Sequence, residues 1–352
     1  MSANTFKSQP PRRAGRAASV LSGLLENKYL GWVALAAALL APLLTASPYS
    51  LNVMTTAAIF VMLAAGLNIV VGYCGLLDLG YIAFMAVGAY TSGIVSRAFD
   101  LPLLFTIPAV LVMTILAGLI IGAPTLRLRS DYLAIVTLGF GEITRITANN
   151  LAVTGGPSGI YGIPKLLTFG DFSVHSPAVF YYVTILIVAF FVLASARLGK
   201  SRLGRAWRFV KEDEDAAEAM GIHTYKVKLM AYIFGAVWGG FAGVLFASHL
   251  TAISPKTFIF LQSALVLMAV VLGGMGNMRG VVVGALVISL LPEMLRDLSE
   301  YRYLAFGLLL VVAMVFRPKG LWPARPHEDE RKKKKEPQET AVDAAVARGE
   351  SR

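Results

Sequence analysis

Tyr29 to Leu77 reads YLGWVALAAALLAPLLTASPYSLNVMTTAAIFVMLAAGLNIVVGYCGLL and holds no Asp, Glu, Lys or Arg. A run of about 18 or more apolar residues is long enough to cross a bilayer. This one is long enough to cross twice, over 31–46 and 51–72, with Pro48 between. Other charge-free runs cover 79–96, 101–126, 172–196, 229–255 and 257–278. A soluble fold could not bury so many. The chain has 352 residues, 56% of them apolar and 15% charged, with a mean hydropathy of +0.66. The pattern predicts an all-α polytopic membrane protein, because helices satisfy their own backbone groups inside lipid. Cys74 is the sole cysteine, which excludes an internal disulfide.

Outward from that stretch, spans are expected at 79–96, 103–123, 131–147, 178–196, 229–248, 258–273, 280–292 and 303–316. The short segments 280–292 and 303–316 can also be read as re-entrant or broken, so the count is eight to ten. Residues 1–28 form a basic tail, 29–322 a membrane domain, and 323–352 a charged tail too poor in apolar residues to fold. The net charge of +11 raises the question of nucleic acid. In a membrane protein the placement of the positives matters more, and no nucleic-acid partner is expected. With both termini inside, 26 of the 32 Lys and Arg fall on cytoplasmic segments. The loop 197–228 holds eight of them, whereas the turn-rich loop 149–176 holds only Lys165. This asymmetry puts 197–228 and both termini in the cytoplasm.

Gly66 to Tyr90, GLNIVVGYCGLLDLGYIAFMAVGAY, surrounds a lone Asp78 with glycines. Small residues let membrane helices approach closely. Gly72, Gly75 and Gly80 beside Asp78 are equally readable as a helix broken inside the protein. A second cluster, Gly273, Gly274, Gly276 and Gly280, also follows a Val-Val pair and precedes a Gly-Ala, as an internal repeat would. Glu142 and Arg145 interrupt the span at 131–147. Three residues apart, they share a helix face and can pair. They read either as an ion pair between or along helices, or as groups on a translocation path, and Asp78 belongs with them as a path candidate.

The central loop, Ser201 to Lys226, is SRLGRAWRFVKEDEDAAEAMGIHTYK. Arg202, Arg205, Arg208 and Lys211 come first, then Glu212 to Asp215, then an alanine-rich run and Gly221. Acids suit the positive start of a helix, and glycine is the usual cap at its end. The pattern predicts a short helix over 213–220 with a small, nearly bare alanine face. Three other patterns fall away. ASARLGKS at 194–201 lacks the first glycine of a phosphate-binding loop and the strand before it, so the chain itself is not expected to hydrolyse ATP. GPSG at 156–159 lies in a loop with Pro164, Lys165 and Asp171 after it, unlike an intramembrane serine protease. His175, His223, His249 and His327 have no metal-ligand spacing. Neither an enzyme nor a bound cofactor or metal is expected.

GLNIVVGYCGLLDLGYIAF at 66–84, RLRSDYLAIVTLGFGEITRI at 127–146, TGGPSGI at 154–160, GRAWRFVKEDEDAAEAMGIHTYKVKL at 204–229, MAVVLGGMGNMRGVVVGAL at 268–286 and FRPKGL at 316–321 together carry a resemblance. The chain resembles the LivM-like permease subunits of bacterial branched-chain amino acid ABC importers. The resemblance implies import across the inner membrane, driven by two ATPase subunits, beside a second homologous permease and with an extracytoplasmic binding protein delivering substrate. Urea and short-amide importers have similar permeases, and a secondary transporter is the rival from another class. In related importers, an EAA run followed by glycine forms the cytoplasmic helix that docks in a groove of the ATPase. Glu214, Asp215, Ala216, Ala217, Glu218, Ala219, Met220 and Gly221 match that run, while the apolar-proline tail of the fuller motif is missing after Gly221.

Overall fold

Pro48 starts the first described helix, where its fixed φ and missing N–H cost nothing. The computed structural model describes residues 47–126 and 130–295 except 167, 170–171 and 174–175, together with 301, 304, 307–308, 311 and 320–322. The expected span at 31–46, nearly all of that at 303–316, and both tails lie outside the described residues.

Helix α1, Pro48–Leu67, runs on through a π-helical turn, Asn68–Tyr73. The chain then leaves helical form over 74–81, with Gly75 at φ +77°, and re-enters as α2, Ile82–Phe99. The structure therefore resolves the first glycine cluster as a broken helix. A 3-10 turn, Leu103–Thr106, leads into α3, Ile107–Thr125, and α4 is Ser130–Asn150. The turn-rich loop contains β1, Ile160–Tyr161, and a tiny hairpin of β2, Thr168–Phe169, and β3, Phe172–Ser173. Next come α5, Pro177–Leu198, α6, Arg202–Glu212, α7, Glu214–Ala219, and the long α8, Thr224–Leu250. Strand β4, Ala252–Ile253, pairs antiparallel with β1 and ties the loop to the end of α8. Helices α9, Phe260–Gly273, and α10, Met278–Met294, flank the second glycine cluster, where Gly274 and Gly276 take positive φ.

The fold is all-α and polytopic. Among the described residues, six helical stretches are long and apolar enough to cross a membrane: Pro48–Tyr73, Ile82–Phe99, Leu103–Thr125, Pro177–Lys200, Thr224–Leu250 and Pro255–Gly273. The expected spans at 131–147 and 280–292 correspond to α4, which carries Glu142 and Arg145, and to the 17-residue α10.

Helix α8 packs against α1, α2 and α3. Its glycines make this possible. A Cβ at Gly243 would lie 2.1 Å from the Met85 carbonyl oxygen, and one at Gly88 would lie 2.1 Å from that of Gly240. Backbone therefore meets backbone between α2 and α8, the small-residue contact that membrane helices use. Phe84 and Tyr232 fill the neighbouring space edge to face. Val112 and Ile120 on α3 and Leu186 and Phe190 on α5 stay exposed, an apolar surface suited to lipid or to another membrane helix.

Candidate functional site

The loop 197–228 contains two capped helices, α6 and α7. Ser201 opens α6 by accepting a hydrogen bond from the Gly204 amide at 3.2 Å. Gly204, Trp207 and Val210 face inward, one turn apart, and the Trp207 indole donates to the Val227 carbonyl at 2.8 Å. Arg208 donates to the Gly199 carbonyl. At the far end, the Lys211 stem crosses Gly75, and its ammonium donates to the Gly72 carbonyl at 2.8 Å. Loss of water around Lys211 lowers its pKa below the ordinary lysine range, against the opposing pull of Cys74 and Glu212.

One residue, Asp213, separates α6 from α7. Its carboxylate accepts from the Ala216 amide at 2.9 Å, a side-chain N-cap. Gly221, at φ +83°, closes the other end. Its amide bonds to Glu218 and that of Ile222 to Ala217, the paired Schellman pattern. Helix α7 thus spans Glu214–Ala219, slightly shorter than the expected 213–220. The bare alanine face is only half present. Ala217 is 3% exposed and packs inward, whereas Asp215, Ala216, Glu218, Ala219 and the 74%-exposed Met220 face out. Glu214 is spent on an anchor: its carboxylate meets the buried Lys228 ammonium of α8 at 2.5 Å.

The broken segment 74–81 shows where Asp78 belongs. Asp78 is fully buried, and its Oδ1 accepts from the Gly80 amide at 2.8 Å. Thr137 Oγ1 accepts from the Leu79 amide at 3.1 Å, and Ser263 Oγ from the Ile82 amide at 3.0 Å. Three side chains, from the break, α4 and α9, thereby satisfy the amides of Gly80, Leu79 and Ile82 along the turn that leads into α2. The Tyr81 hydroxyl donates to the Gly235 carbonyl at 2.8 Å, locking the turn to α8. Asp78 holds the turn before α2, and among the described residues it makes no hydrogen bond or ion pair with the other two path candidates. Those two do meet: Arg145 Nη2 and Nε reach Glu142 Oε2 at 2.8 and 2.9 Å, with the side chains 30% and 35% exposed. Glu142 lines a narrow crevice with Leu79, Ile82, Gly141, Phe260 and Ser263.

The second glycine turn is bound to the first. Asn68 Oδ1 accepts from the Gly276 amide at 2.9 Å. Gly320 packs on Gly274, and the Leu321 and Trp322 amides donate to the Leu272 and Gly273 carbonyls at 2.7 and 3.1 Å. Sequence reasoning missed Asn68, Lys211, Trp207 and Lys228. Asn68 alone had a signal, as a polar residue within an apolar span.

The family model for the branched-chain amino acid transport system / permease component matches residues 49–314, a range that holds both breaks and the loop 197–228. The chain belongs to this permease family. It is similar to the high-affinity branched-chain amino acid transport permease LivM of Escherichia coli (strain K12), 41% identical over 297 residues, covering 78% of this chain and 70% of that protein. A probable LivM of Methanocaldococcus jannaschii is 27% identical over 237 residues, covering 61% and 68%. The companion permease LivH of E. coli K12 is 30% identical over 123 residues, covering 34% and 40%. No solved structure matches the chain. The family's relatives are thus permease components, and two distinct kinds, LivM and LivH, share sequence with this member.

Proposed function

We propose that this permease is the membrane-spanning subunit of an ABC importer that carries leucine, isoleucine and valine across the inner membrane. ATP hydrolysis belongs to two partner subunits, and the chain binds no cofactor. A second, LivH-like permease completes the membrane part, and a binding protein delivers substrate from outside. The observation that carries this reading is α7: a short helix, capped at both ends and anchored through Glu214 to α8, offering Asp215, Ala216, Glu218, Ala219 and Met220 outward. Its small outer residues fit a groove on an ATPase. The basic loop 197–228 and both termini face the cytoplasm, and 149–176 faces outside, in keeping with the Lys and Arg asymmetry.

The translocation path runs along α4. A one-third-exposed ion pair on a membrane helix faces a wet cavity or a partner rather than lipid. Glu142 and Arg145 offer one charge of each sign, matching the ammonium and carboxylate of a zwitterionic amino acid. Asp78, enclosed beside the same crevice, holds its wall by bonding the Gly80 amide in the turn before α2. The test is uptake of labelled leucine into proteoliposomes holding both permeases and both ATPases, with binding protein outside and ATP inside. Uptake that needs ATP and is competed by isoleucine and valine is expected. Uptake by the permeases alone, driven by an ion gradient, would overturn the reading in favour of a secondary transporter. Competition only by urea or short amides would overturn the substrate.

A further inference from the structure

Three facts converge on one turn. Lys211, two residues before the cap of α7, bonds to the Gly72 carbonyl in the π-helical turn, and its stem lies across Gly75 in the break. Gly72 also packs against the Asn68 side chain and the Gly276 amide, with a hypothetical Cβ only 1.9 Å from Asn68 Oδ1 and 2.7 Å from Gly276 N. Asn68 in turn holds the Gly276 amide of the second glycine turn. Elsewhere the loop is held to α8 through Trp207 and Glu214–Lys228 and to the end of α5 through Arg208 and Gly199, and Tyr225 at the start of α8 donates to the Ala123 carbonyl of α3. Helix α8 is continuous, and its glycines clasp α2 backbone to backbone, so it moves as a rigid body with its neighbours. Both breaks, by contrast, lack regular helical hydrogen bonding and can absorb a change in dihedral angles.

We infer that Lys211 is the positioning residue through which movement of α7 reaches the membrane. It latches α6–α7 onto the Asn68–Tyr73 turn, and through Asn68 that turn carries the motion to the second glycine turn. A cation is chemically suited to the place, because carbonyls at the end of a helix carry the negative end of its dipole. Both breaks then act as one hinge, moved from the cytoplasm. This inference rests on the proposed docking of α7 to an ATPase.

The test uses the whole importer in proteoliposomes. Lys211→Met keeps the stem over Gly75 and removes the N–H donors, and Lys211→Arg keeps a donor. Asn68→Leu cuts the next link. For Lys211→Met and Asn68→Leu we expect normal co-purification of the ATPases, continued ATP hydrolysis, and a fall of about tenfold in uptake per ATP, within the usual range of a coupling contact. Lys211→Arg should recover part of that ratio. An unchanged ratio in Lys211→Met overturns the latch. So does a fall in uptake that merely tracks lost assembly or a lowered Tm, since that is what a purely structural contact would give. If wild-type α7 cross-links to no ATPase, the docking reading fails and takes the latch with it. Cross-linked α7 with a normally coupled Lys211→Met sinks the latch alone.

Discussion

Arg145 on α4 is held by an ion pair along its own helix, and if α4 crosses the bilayer as proposed that pairing has a measurable cost and benefit. An unpartnered Arg at a helix centre costs about 2.5–3.5 kcal/mol on insertion scales. Pairing with Glu142 one turn away lowers that cost, yet both side chains remain about one-third exposed. Structure and transport should therefore separate on mutation. Arg145→Ala and Glu142→Ala each strand one charge and should lower stability by about 1–3 kcal/mol, read as a drop in Tm in detergent. The double mutant should regain most of that stability. Uptake should not return with it, because the groups that meet the zwitterion are gone. Equal Tm in the two single mutants and the double mutant would contradict the pairing argument, and full uptake in the double mutant would contradict the path.

The helix contacts depend on where side chains are missing. Gly88 on α2 cannot gain a Cβ without striking the Gly240 carbonyl, whereas Gly139 on α4 has nothing within 4 Å. Gly88→Val should abolish folded permease, measured as monodisperse protein after purification. Gly139→Ala should be neutral, or stabilising by up to about 1 kcal/mol. Comparable yields from the two would mean that α2 and α8 do not pack as described. Elements of this kind were partly legible in the sequence. Charge-free runs placed the spans, Gly75 and Asp78 marked the first break, and the acid-alanine-glycine order marked α7, because these are local signals. Helix α6 was not read as a helix, although Gly204, Trp207 and Val210 recur at its inward face. The spacing of Gly235, Gly239 and Gly243 on α8 was equally open to view, but only the neighbours opposite, Val70, Phe84 and the Met85 carbonyl, show what it is for. Ala217 looked like part of a bare face, and its burial is set by tertiary packing, which no local pattern reports. The contact of Lys211 with Gly72 joins residues 139 apart and had no sequence signal at all.

At the scale of the molecule, α8 is the post on which α1, α2 and α3 are packed, and the two glycine breaks are joined through Asn68 and Gly276. The loop 197–228 meets the membrane part at several places, among them α8, through Glu214–Lys228 and Trp207, and the first break, through Lys211. An importer driven from the cytoplasm needs such a loop to be gripped by its motor. On the proposed function, α7 is what the motor grips. A photo-activated cross-linking residue at Met220, on the outer face of α7, tests this in the assembled, transport-active importer. Leu186, exposed within the apolar helix α5, serves as the control position. An adduct with an ATPase subunit is expected from position 220 and none from position 186. An active importer in which position 220 yields no ATPase adduct would show that α7 is not the docking helix.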